Sequence, residues 1–166
     1  MKRALLLAAL AVPPTSAQTG RPVTYRKLLD LIGTAQHRVL AYVPYLSDVG
    51  LADALRVATV DANRQVRVVL LTVPFFGAKE DALSNSLALA GTGVVEAQVN
   101  STTAYMLVDD DLFSSTQLGR VAGAADIRLL PRTSSNSYLK WFASAAKAGH
   151  GVTAYEAFTR IGGSLK

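Results

Sequence analysis

Residues 101–117 read STTAYMLVDDDLFSSTQ, an apolar run that ends in three aspartates and is followed by a short hydroxyl-rich segment. Tyr105 to Val108 mixes aromatic and β-branched residues without interruption, which predicts a buried strand ending at Asp109, Asp110 and Asp111. Leu112 and Phe113 open a second short strand. Ser114, Ser115, Thr116 and Gln117 then fall at its end, where small hydroxyl side chains and backbone N–H groups can line an anion site. Any activity is expected here.

Working outward toward the N-terminus, Pro22 to Ala35 sets Leu28, Leu29, Leu31 and Ile32 against Arg26, Lys27 and Asp30, the stripe of an amphipathic helix that Gly33 brings to its end. Val39 to Val43 reads as a buried strand stopped by Pro44. Leu51, Ala52, Leu55 and Ala58 mark a second helix, with Ser47 or Asp48 as its cap. Gln65 to Val73 is another continuous apolar strand. Two such strands joined by a helix form a βαβ unit, whose right-handed crossover makes the strands parallel within one helix-covered sheet. Lys79 to Ala90 is read as a further helix and Val94 to Val99 as a strand. Beyond the central stretch come a late strand at Ile127–Leu130 and helices at Ser137–Ala148 and Val152–Ile161. The expected fold class is α/β: a single domain with a mixed sheet flanked by helices.

The 166 residues suffice for one domain with a real core, and half of them are hydrophobic. Lysine and arginine outnumber aspartate and glutamate 17 to 12. That excess is too small to argue for nucleic acid by itself. Cysteine is absent, which excludes a disulfide framework and a thiolate metal site. His37 and His150 are too few and too far apart for a zinc cluster, so neither a metal nor a cofactor is expected.

Residues 1–17 carry Lys2 and Arg3, an apolar run from Ala4 to Val12, and the small-residue sequence Thr15-Ser16-Ala17. This is the form of a secretory signal peptide, too short in its apolar part to span a bilayer. Cleavage after Ala17 is expected, leaving residues 18–166 as the mature domain with no integral membrane segment. The expected destination is the periplasm, the cell envelope or the extracellular medium.

The central stretch resembles the phospholipase D-like superfamily, whose motif is H-x-K-x-x-x-x-D followed several residues on by G-S/T-x-N. With Asp109 as the motif aspartate, Thr102 stands at the position of the nucleophilic histidine and Ala104 at that of the phosphate-binding lysine. Ser114, Ser115 and Gln117 fall on the glycine, hydroxyl and asparagine positions, and Asp126 lies near a family acidic position. The stretch from Leu28 to Val73 looks like the opening helix–strand–helix–strand of single-motif members, which are small and often secreted nucleases or phospholipases. The resemblance therefore covers nearly all of the mature chain while lacking its two most specific residues.

The resemblance implies a phosphodiesterase fold whose site positions are Thr102, Ala104, Asp109, Ser115, Gln117 and Asp126. It also implies a homodimer, because single-motif members pair their sites across a two-fold axis. Threonine without a base is a poor nucleophile and alanine holds no phosphoryl oxygen, so the expected protein is an exported pseudoenzyme. Its ligand would carry phosphate, as nucleic acid or phospholipid, or it would bind a protein partner. Two alternatives stand beside this reading: an active phosphodiesterase running on other residues, and a structural interaction module of the envelope.

Other residues carry weaker signals. His37, between Gln36 and Arg38, is read as a surface residue, and His150 as a loop or helix-end residue. Arg120, Arg128, Arg132 and Lys140 are candidate phosphate contacts. Tyr138, Trp141 and Phe142 lie at helical spacing and read as core. Asn100-Ser101-Thr102 matches a short glycosylation pattern.

Overall fold

The structure is a computed structural model that describes residues 20–79 and 81–162; the expected signal segment lies outside the described residues. In chain order the elements are β1 (Arg21–Pro22), α1 (Tyr25–Thr34), β2 (Arg38–Tyr42), α2 (Val49–Val60), β3 (Arg67–Thr72), α3 (Pro74–Gly77) and α4 (Ser84–Leu89). There follow β4 (Gly93–Glu96), β5 (Ala104–Val108), β6 (Asp111–Ser115), β7 (Arg128–Leu129), α5 (Thr133–Ala148), β8 (His150–Gly151) and α6 (Ala154–Arg160).

All the strands join one sheet in the order β1-β7-β6-β5-β2-β3-β4-β8. β2, β3 and β4 are parallel neighbours, and every other pairing is antiparallel. The βαβ unit read from residues 39–73 is present, with Val39 opposite Val68 and Tyr42 opposite Leu71. The mixed α/β sheet flanked by helices is thus the observed architecture.

Apolar runs are continuous in these strands because both faces are covered. Val39, Ala41, Val68, Leu70, Ala104 and Met106 belong to one core with Leu28 and Ile32 of α1 and Leu51 and Leu55 of α2. The alternate residues Leu40, Tyr42, Leu71, Tyr105 and Leu107 pack with Tyr138, Trp141 and Phe142 of α5 in the other. Tyr138 is fully buried, and its hydroxyl donates to the carbonyl of Leu40 at 3.1 Å. An aromatic at this depth needs such an acceptor.

The structure corrects several element boundaries. Pro22 does not start a helix: it pairs with Arg128 across the sheet, and Thr24 caps α1 by accepting from the Lys27 N–H at 3.2 Å. Asp48, not Ser47, caps α2, accepting from the N–H groups of Gly50 and Leu51. The helix read over residues 79–90 is confined to Ser84–Leu89, and a short α3 precedes it. Asn85 and Ser86 turn their side chains to backbone carbonyls, Asn85 donating to Gly77 at 3.0 Å and Ser86 to Leu83 at 2.7 Å, the local competition that makes such residues weak helix formers. His150 lies in β8, opposite Glu96 on β4.

Candidate functional site

The C-terminal ends of β2 and β3 meet the start of β5 in a cleft of about 280 Å³. Pro44 and Tyr45 line it from the segment after β2, Val73 and Phe76 from the segment after β3, and Val99 to Thr102 from the approach to β5. Arg120, from the loop after β6, contributes a guanidinium. Parallel α/β sheets characteristically present ligand clefts at this end, where the connections diverge. Thr102 is exposed on the wall of this cleft, and Ala104 two residues on is buried with Ser115 as its cross-strand partner.

Ser115, Gln117 and Asp126 form one hydrogen-bonded cluster beyond β6. The Ser115 hydroxyl donates to Asp126 Oδ1, and its oxygen accepts from the N–H groups of Gln117 at 3.0 Å and Leu118 at 2.9 Å. A serine hydroxyl has one donor and two lone pairs, so Ser115 is fully engaged. Asp126 Oδ2 accepts from the Thr116 N–H at 2.7 Å and the Thr116 hydroxyl at 2.6 Å, while Gln117 Oε1 accepts from the Ala125 N–H at 3.1 Å. Burial pulls the Asp126 carboxyl up, but the Ser115 and Thr116 donors together outweigh it and leave the group below its ordinary value. The donors of the hydroxyl-rich turn are thus taken up by the chain's own carboxylate.

Asp109 lies at the other end of β5, across the full length of the strand from Thr102. Its Oδ2 accepts from the Gln36 N–H at 3.0 Å, and its Oδ1 from the N–H groups of His37 at 2.8 Å and Arg38 at 3.1 Å. Burial raises the carboxyl, and these three donors outweigh that and hold it below its ordinary value. Asp109 adopts φ +50°, a left-handed conformation that aspartate tolerates better than most residues. It ties the tight β5–β6 turn to the start of β2. Thr102, Ser115, Gln117 and Asp126 therefore share the cleft end of the molecule, and Asp109 does not.

The remaining candidates separate in the same way. Arg128 donates to the Gly20 carbonyl at 3.1 Å, and Arg132 lies beside Asp109, Asp110 and Asp111 at the far end. Lys140 is exposed on α5, where its neighbours Tyr138, Trp141 and Phe142 are core. His37 is exposed. Sequence reasoning missed Tyr45 and Phe76, whose signal was positional: each follows a parallel strand by a few residues, where cleft walls are built.

This arrangement is that of a phospholipase D-like fold. The solved structure of Nuc from Salmonella typhimurium, a phospholipase D family member, superposes with a TM-score of 0.64 at 15% identity, covering 77% of this chain and 90% of that one. TrmBL2, an archaeal chromatin protein whose structure is described as showing a novel mode of DNA binding, matches with a TM-score of 0.52 at 15% identity. That match covers 76% of this chain and 50% of TrmBL2. No protein-family model and no curated protein matches the sequence.

Proposed function

We propose that this is an exported phospholipase D-like domain that has lost phosphodiesterase activity and binds a phosphate-bearing ligand in the cleft at the end of β2, β3 and β5. The observation that carries the reading is that Arg120 and Thr102 line one cleft, while Ala104, two residues on, is buried and uncharged, so the cleft offers a cation without a phosphorus-attacking side chain at position 102. Threonine attacks phosphorus only when a base takes its proton, and no histidine lines this cleft among the described residues. Arg120 offers a planar, permanently charged donor suited to a phosphate. Nucleic acid and phospholipid both supply that group. The hydroxyl turn at Ser115 is a poor second choice for an anion, because Asp126 would have to leave it.

The test is turnover of an aryl phosphodiester and of plasmid DNA by the mature protein, with and without chelator, beside a titration with inorganic phosphate. No turnover is expected, together with phosphate binding that weakens at least about tenfold in Arg120→Ala, the scale of one lost charge-assisted hydrogen bond. Turnover that survives Thr102→Ala and copurifies with the chain would overturn the inactive reading.

A further inference from the structure

The outer wall of the cleft holds a constellation that phosphate binding does not use. The ammonium of Lys79 stands 5.4 Å from the ring centroid of Tyr45, 5.6 Å from that of Phe75 and 5.4 Å from that of Phe76. The three rings form a connected corner: Tyr45 and Phe76 lie 5.5 Å apart at 38°, and Phe75 and Phe76 5.2 Å apart at 77°. Each ring turns π density toward one cation, and all three distances fall within the range where that attraction is felt. Among the described residues no carboxylate comes within salt-bridge distance of Lys79. The neighbouring acid, Asp81, instead accepts the Tyr45 hydroxyl proton, which places negative charge at the edge of the corner.

The corner is held firmly for a surface feature. Pro74 opens α3 immediately after β3, and a Cβ on Gly77 would stand 2.5 Å from Glu96 Oε1, so the helix is pressed onto β4. Glu96 is itself held by both guanidinium nitrogens of Arg160. Phe75 is nonetheless 71% exposed. A phenylalanine turned outward on a pinned helix does little for the core.

We propose that Tyr45, Phe75 and Phe76 form an aromatic cage for a small quaternary ammonium group, and that Lys79 is its internal, displaceable occupant. A primary ammonium is a compact, strongly hydrated charge on a flexible stem, so it gives up water to sit against rings. A tetraalkylated nitrogen carries the same charge behind methyl groups that pack on all three faces, which is why aromatic cages recognise it. Tyr45 and Phe76 line both the cage and the cleft, so a ligand in the cage closes one side of the phosphate site. The cage is independent of the phosphate reading, and a cation without phosphate tests it alone.

The experiment titrates tetramethylammonium into the full mature chain by NMR, following the aromatic resonances, for wild type and for Lys79→Gln. The variant is expected to bind about fivefold more tightly or better, since removing a self-occupant lifts the occupancy tax on the site. Phe76→Ala on the Lys79→Gln background is expected to lose about fivefold or more, with an unchanged thermal transition showing that the fold persists. The neutral isostere of (2-hydroxyethyl)trimethylammonium, 3,3-dimethylbutan-1-ol, should not bind, whereas that cation should bind as tetramethylammonium does. Vesicles bearing trimethylammonium headgroups, compared with vesicles of the same acyl chains bearing glycerol headgroups, separate the sources. Binding to the first vesicles together with free cation assigns the site to headgroups as well, and binding of free cation alone assigns it to a soluble ligand. No response of Lys79→Gln to either form of the cation, or equal binding of the neutral isostere, would overturn the proposal.

Discussion

Asp109 spends its carboxylate on three backbone N–H groups at the start of β2. That makes it a structural residue whose worth depends on being ionised. Its folded-state pKa lies below the ordinary carboxylate value, which is about 3.9 in an unfolded chain. The stability it contributes is therefore complete above roughly pH 4 and is lost as pH falls through the folded-state value. Asp126 follows the same sign. Asp109→Asn should cost about 1–2 kcal/mol at neutral pH, because the amide turns a donor toward one of the N–H groups it replaces an acceptor for, and partial exposure moderates the loss. Urea unfolding at pH 7 and pH 3 checks this: wild type should lose more stability between the two than Asp109→Asn does. The sequence exposed the aspartate through the apolar run before it, but not its partners. Gln36 to Arg38 lie more than seventy positions away, and no local pattern reports a tertiary hydrogen bond.

Among the elements, the loop after β6 is fastened by Gly119. This residue has φ +83°, and its carbonyl accepts from the N–H groups of Ser47 at 2.7 Å and Asp48 at 3.0 Å. A Cβ there would clash with Val43 Cγ1 and stand 3.1 Å from the Tyr45 carbonyl oxygen. Gly119→Ala combines left-handed strain with a clash against a strand end, and an expected loss of at least about 2 kcal/mol follows. Chemical denaturation measures it, and because Arg120 and Tyr45 flank these contacts, phosphate binding should weaken in the same variant. Elements were legible where periodicity was long: α1, β2, α2 and β3 lie where the apolar pattern sets them. They were illegible at the two edges of the sheet, where a pair of residues with no apolar run around it makes a strand. Arg21–Pro22 and His150–Gly151 have no period to detect and exist because the sheet edge offers them partners. The Pro74–Gly77 turn was hidden for a related reason, since a strand-stopping proline and a helix-opening proline are the same residue.

For the whole molecule, the fold was readable because every major segment agreed with the others, and the site was readable only as a set of positions. Thr102 and Ala104 were legible as positions that the resemblance marks, whereas the aromatic corner at Tyr45, Phe75 and Phe76 arises from two segments that meet only in three dimensions. Export remains an expectation of the first 17 residues. Intact-mass spectrometry of the protein from its host should find a mature chain starting at Gln18, and a cytoplasmic chain still carrying Met1 would refute it. Pairing of two copies is expected from the single-motif pattern, and light scattering at micromolar concentration should give twice the mass of the mature chain; a monomer alone would remove that expectation.

A two-residue strand stands at each margin of the sheet. β1, near the start of the described chain, pairs only with β7, and β8 with α6 near its end closes against β4. A pull applied between Gly20 and Gly162 would therefore reach the sheet at opposite borders, meeting the two-residue β1 ladder at one and, at the other, α6, which buries Ala157 and ties Arg160 to Glu96. The β1 margin would unzip at low load while the ladder of β6, β5, β2, β3 and β4, with its buried aromatic layer, stayed intact. For a domain tethered by its ends, the β1 margin acts as a fuse: it yields under tension and re-forms when the tension is released, and the cleft, built on the interior strands and their loops, keeps its shape throughout.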